Sequence, residues 1–121
     1  MKSGAQKMRI FALREADMGH RPRAPNNAER THIERVVSLG CIVCRLQGHG
    51  YKEAECHHVY SRARLDTHYQ VLGLCMEHHR GGFDKSPYIS RHPYKKRFIS
   101  AYGSEESLLR ETKKLLRASY G

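Results

Sequence analysis

The chain has 121 residues and a formal charge of +10, with four cysteines and nine histidines. That length bounds one small domain with a modest core, for which a metal staple is a natural support. The charge points to a polyanionic partner such as nucleic acid, and the longest apolar run, Val36 to Cys44, is broken by Ser38 and Gly40 and too short to span a bilayer.

The basicity flanks the middle of the chain. Residues 1–30 hold seven Lys/Arg against three acids, residues 31–90 seven against six, and residues 91–121 eight against three. No secretory signal is read ahead of the domain, so Cys mixed with His at short spacings is expected to bind zinc in a reducing cytoplasm rather than to form disulfides. Residues 1–27 read as a flexible basic arm. A short helix is conceivable over Met8 to Ala16, and Pro22 and Pro25 block one after it. The arm either tracks phosphates or is an inert tail.

Ala28 to Leu39 is a helix candidate, with Ile33, Val36, Val37 and Gly40 on one stripe and Gly40 at its stop. Cys41-x-x-Cys44 follows at once. Alone it is a redox pair or half a zinc knuckle; no thioredoxin-like strand precedes it, which favours zinc. Gln47 to Lys52 reads as a loop. Ala54 to Tyr60 reads as a strand, Ser61 to Thr67 as a connection carrying Arg62 and Arg64, and Tyr69 to Leu74 as the return strand. A helix is expected from Met76 to about Phe83, and a loop from Gly81 to Pro87. His92 to Tyr102 is a basic helix candidate carrying Lys95 and Lys96, with Pro93 in its first turn. Ser104 caps a last helix, with Glu105 and Glu106 at its positive end and Leu108, Leu109, Leu115 and Leu116 as core.

The ligand string is Cys41, Cys44, His57, His58, Cys75, His78 and His79. Cys41, Cys44, Cys75 and His78 suit a closed tetrahedral structural zinc: one pair on a knuckle, the other on the turn into a helix. That leaves His57, His58 and His79. Neighbouring strand residues point to opposite faces, so His57 and His58 take different roles. A strand His facing a helix His can hold a second metal, and the remaining strand His can deprotonate water.

Glu55-x-His57-His58-Val59 followed by Leu74-Cys75-x-x-His78-His79 resembles the HNH endonucleases, whose ββα-metal core lies in a treble-clef-like fold. The flanks, Leu39-Gly40-Cys41-x-x-Cys44, then His92-Pro93, Phe98 and Tyr102-Gly103 before a Leu-rich helix, are similar to the phage Ref-type RecA-dependent nucleases, over about residues 29–121. The resemblance implies a small α+β domain, stabilised by Zn2+, with flanking helices over residues 28–121. It implies His57 and His79 as ligands of a catalytic divalent metal, Mg2+ or Mn2+, though Zn2+ can occupy such a site. His58 is the implied general base, and Gln70 stands near the family's base-orienting Asn. His92 is a further ligand, a phosphate contact or a surface histidine. Arg62, Arg64, Arg80, Lys95 and Lys96 are the candidate DNA contacts. DNA and a RecA filament are the implied partners, in the cytoplasm of a bacterial host, and a monomer is expected. The residues alone leave room for two other readings: a non-catalytic zinc module binding DNA or a recombinase, and, as the weakest, a redox or disulfide protein.

Overall fold

The computed structural model describes residues 22–121. The helix considered over Met8 to Ala16 lies outside the described residues, as does most of the arm expected over 1–27. The elements run α1 (Asn27–Ser38), α2 (Ile42–Leu46), β1 (Glu55–His58), a 3-10 turn (Thr67–Tyr69), β2 (Val71–Leu74), α3 (Met76–His79), β3 (Asp84–Lys85), β4 (Tyr88–Ile89), α4 (Lys95–Tyr102) and α5 (Glu105–Tyr120). The architecture is the expected small α+β domain with helices flanking a central hairpin.

The start of α1 is set by a capping box. Asn26 Oδ1 accepts from the Glu29 amide at 2.8 Å, and Glu29 Oε1 accepts from the Asn26 amide at 2.9 Å. Its end is set by Gly40, whose φ of +83° suits glycine; a Cβ there would also meet Tyr51 at 2.8 Å and the Lys52 carbonyl at 2.9 Å. α1 then lies directly on β2 at Gly73, where a Cβ would stand 2.7 Å from the Gly40 carbonyl.

Cys41 and Cys75 play the same local part. Each is the N-cap of a short helix, and each sulfur accepts a backbone N–H three residues on, from Cys44 and His78 respectively, at 3.5 Å. The C-x-x-C and C-x-x-H spacings thus fold into two matched turns that aim four ligands at one point.

The hairpin pairs β1 with β2 antiparallel, His57 opposite Leu72 and His58 opposite Val71. Its strands are shorter than the periodicity predicts, because the connection from Ser61 onward curls into turns that end in the 3-10 turn. α3 is also shorter than predicted. It stops at His79 because the returning chain hydrogen-bonds its free carbonyls: the Arg91 and His92 amides donate to the His78 and His79 carbonyls at 2.7 and 2.8 Å. The stretch expected as a loop over Gly81 to Pro87 instead contributes β3 to a second small hairpin with β4. The basic helix begins at Lys95, so His92 sits on the turn before it. Phe98 of α4 and Leu108 of α5 close the core against Leu72 and Leu74. Leu109 is buried with them, Leu115 packs half-buried at the rim, and Leu116 is half-buried.

Candidate metal centres and active site

Among the described residues, two groups of side chains are placed as ligand clusters: Cys41, Cys44, Cys75 and His78, all buried, and His57, His79 and His92, which grade from buried to exposed. In each, the potential ligand atoms lie within 4.8 Å of one another.

The first cluster fits a tetrahedral cation. Nδ1 of His78 lies 3.5, 3.6 and 3.2 Å from the sulfurs of Cys41, Cys44 and Cys75, and the Cys44 and Cys75 sulfurs are 4.0 Å apart. Zinc with bonds of ~2.3 Å to sulfur needs tetrahedron edges of about 3.8 Å. The His78 tautomer suits the same purpose: its Nε2 donates to the Pro87 carbonyl at 2.9 Å, leaving Nδ1 bare toward the sulfurs. The charges also call for a cation. The hydrogen bond with Cys41, then burial, push the Cys75 thiol up to about 12, while the same bond lowers Cys41. Three sulfurs this close share protons unless a positive ion replaces them. This Cys3His group could bind a metal such as zinc and stabilise the small domain around it.

The second cluster adjoins the first at His79, the residue after His78. His57 on β1, His79 at the end of α3 and His92 on the turn before α4 bring their rings together, with centroids 5.2 Å (His57–His79), 5.4 Å (His57–His92) and 5.3 Å (His79–His92) apart. The backbone bond from His92 to the His79 carbonyl delivers the third ring. A carboxylate backs each of the first two. Glu55 accepts from His79 Nδ1 at 2.8 Å, and Glu105 from His57 Nε2 at 3.2 Å. Those bonds fix tautomers that leave His79 Nε2 and His57 Nδ1 as free donors of a lone pair. Hydrogen bonds from Arg80 and then His79 hold the Glu55 carboxyl at about 2. Burial works to raise Glu105, but its hydrogen bonds with His57 and Arg91 outweigh that and its pKa is lowered. Burial, with Arg91 and the neighbouring rings, lowers His92.

His58 stands apart from this cluster, as alternation along a strand requires. Its Nε2 lies 3.1 Å from Nδ1 of His68, a fully buried residue. Burial, then Arg62 and the neighbouring imidazoles, lower the His58 pKa to about 4. Gln70 is not its partner. The Gln70 amide donates to Asp66 at 3.2 Å, and its carbonyl accepts from Lys113 at 3.4 Å. The strand puts Gln70 opposite Val59, one step past His58, so its side chain leaves the hairpin on another side.

A family model described as recombination enhancement, RecA-dependent nuclease, matches residues 25–117. The chain belongs to that family. As a member of the RecA-dependent nucleases it has a nuclease role in recombination, with RecA and DNA as the implied partners. Among the described residues, no helix is long and apolar enough to cross a membrane.

The candidate DNA contacts of this RecA-dependent nuclease fall into two sets. Arg62, Lys95 and Lys96 are exposed and make no ion pair among the described residues. Arg64 is held by Asp66 at 2.5 Å and lies over the Tyr60 ring, and Arg80 is held by Glu55 at 2.6 Å. The second set would have to exchange a carboxylate for a phosphate. Three residues around the candidate site carry no signal that the spacing of ligands reveals: Glu105, His68 and Arg91. Glu105 reads as a helix-end charge, yet it is the buried partner of both His57 and Arg91. The visible hint for His68 is a histidine three residues ahead of the return strand, which hairpin closure carries back toward His58.

Proposed function

We propose that this protein is a metal-dependent DNA endonuclease of HNH type that hydrolyses phosphodiester bonds during RecA-dependent recombination. The observation that carries the reading is the division of labour between adjacent histidines: His57 joins His79 and His92 in one cluster, while His58 turns away to a separate hydrogen bond. A purely structural zinc module has no use for the second arrangement.

In this reading Cys41, Cys44, Cys75 and His78 hold a structural Zn2+, and His57, His79 and His92 hold the catalytic cation. A divalent ion there supplies positive charge to the scissile phosphate and the leaving oxygen. The donor set is all imidazole, which suits Zn2+ and other first-row ions better than the oxygen-seeking Mg2+. Glu55 and Glu105 orient His79 and His57 from behind. Exposed His92 keeps one side of the cluster open to a phosphodiester. His58 stays unprotonated through neutral pH, because its pKa is held at about 4, and accepts the proton of the attacking water. Arg62 lies near enough to depress His58 and is free to meet a phosphate beside the one attacked.

The test is cleavage of plasmid and single-stranded DNA, with and without RecA and ATP, across Mg2+, Mn2+, Zn2+ and EDTA. His58→Ala is expected to lose roughly 10²–10⁴-fold in rate while retaining DNA binding and zinc content. Undiminished nicking by that variant would refute the base assignment. Salt-sensitive binding without cleavage under any ion would instead support a non-catalytic module.

A further inference from the structure

His68 is wholly buried, yet it takes no part in either ligand cluster. Both of its ring nitrogens are engaged. Nε2 lies 2.8 Å from the Arg23 carbonyl, and Nδ1 lies 3.1 Å from His58 Nε2. A carbonyl oxygen only accepts, so His68 Nε2 carries the hydrogen. In the neutral ring Nδ1 is then a bare acceptor, and the hydrogen between the two rings belongs to His58 Nε2. That leaves the His58 lone pair on Nδ1, for which the described residues offer no hydrogen-bond partner.

The far end of this chain is anchored independently. Arg23 forms a two-point ion pair with buried Glu29, at 2.7 and 2.8 Å, and its guanidinium also reaches the Leu65 carbonyl at 3.4 Å. Leu65 belongs to the same connection that carries His68. The Arg23 carbonyl is therefore fixed relative to the ring it receives, and the capping box at the start of α1 fixes Glu29 in turn.

We propose that His68 is the positioning residue of the nuclease site: anchored on the Arg23 carbonyl, it holds His58 in the Nε2–H tautomer so that Nδ1 faces the attacking water. The inference rests on His58 being the general base. It assigns to His68 the orienting part that the sequence suggests for Gln70, and it makes the segment before α1 a component of the site rather than a leash.

The experiment uses the full chain, zinc-loaded, in four forms: wild type, His58→Ala, His68→Leu and His68→Asn. Asparagine offers a carbonyl oxygen close to where Nδ1 stands, and leucine offers none. His68→Leu is expected to lose kcat by roughly 10–100-fold, part of what general-base catalysis supplies, with KM within about twofold of wild type because no substrate contact is removed. His68→Asn is expected to recover at least about tenfold of that loss. Long-range 15N correlation spectra of the histidine rings read the tautomer directly. Wild type should show His58 protonated at Nε2, and His68→Leu a mixture. Wild-type kcat in a folded His68→Leu, alongside an inactive His58→Ala, overturns the positioning role and leaves the base assignment standing. Undiminished cleavage by His58→Ala overturns both. If leucine at this buried position prevents folding, the wild-type spectrum still decides, since His58 protonated at Nδ1 contradicts the proposal.

Discussion

Cys41, Cys44, Cys75 and His78 lie wholly inside the molecule, whereas the neighbouring imidazoles grade from buried His57 through half-buried His79 to exposed His92. The first group is built from neighbours in sequence, two turns that each cap a short helix with a sulfur. The second is gathered from three separate elements and steadied by carboxylates from β1 and α5. Soft sulfur ligands closed on all sides suit an ion that never leaves, and nitrogen ligands with an open flank suit an ion that must meet a substrate. In the function proposed here, the difference in burial is what separates a scaffold from a working site within one small fold.

That contrast can be broken most decisively at the sulfurs. Cys75→Ala, or removal of the metal by a strong chelator under reducing conditions, is expected to unfold the domain, because structural zinc contributes roughly 10–16 kcal/mol against a total stability of about 5–15 kcal/mol. Circular dichroism and bound-metal content report it. His92→Ala is the matched control and should leave the melting temperature nearly unchanged. Equal loss of fold in the two variants would erase the distinction.

A smaller effect sharpens the second site. Glu55→Gln removes the charge behind His79 and frees Arg80. It is expected to weaken cation binding at the imidazole cluster by about 10–100-fold without displacing the sulfur-bound ion. Calorimetric titration with Mn2+ or Zn2+ into protein already holding one zinc checks this; an unchanged affinity would show that Glu55 serves only Arg80.

The smallest effect lies outside both clusters. Hydrogen bonds from Arg23 and then the Asn26 amide hold the Glu29 carboxyl at about 2, well below its ordinary 4.5. A carboxyl lowered on folding contributes stability that is complete above its unfolded value and fades as pH falls toward its folded one. Glu29→Gln should therefore cost about 1 kcal/mol near neutral pH, as lost caps do, and the gap from wild type should close as pH drops from about 4.5 to about 2. Thermal melts across that window measure it, and bound-metal content should not move.

What the sequence reveals of this arrangement follows from distance along the chain. The C-x-x-C and C-x-x-H turns are local, so spacing alone announces four ligands. Alternation on a strand announces that His57 and His58 part company. Glu105 stands 48 residues from His57 and His68 stands 45 from Arg23; such pairs depend on how α5 and the segment before α1 dock, which no local pattern encodes. Gln70 illustrates the same limit, since its place near the family's orienting Asn says nothing of which side of the hairpin its amide leaves. The short α3 and the β3–β4 hairpin were hidden for a related reason: the amides that end the one, and the register that makes the other, come from chain returning later.

His78 and His79 are successive residues, yet they serve different clusters. Inserting one residue between them would swing one ring by ~100° about the helix axis and orphan whichever group it left. The α3 turn is consequently a seam that tolerates no splicing. Chimeras that borrow a related core must take both sets of ligands together.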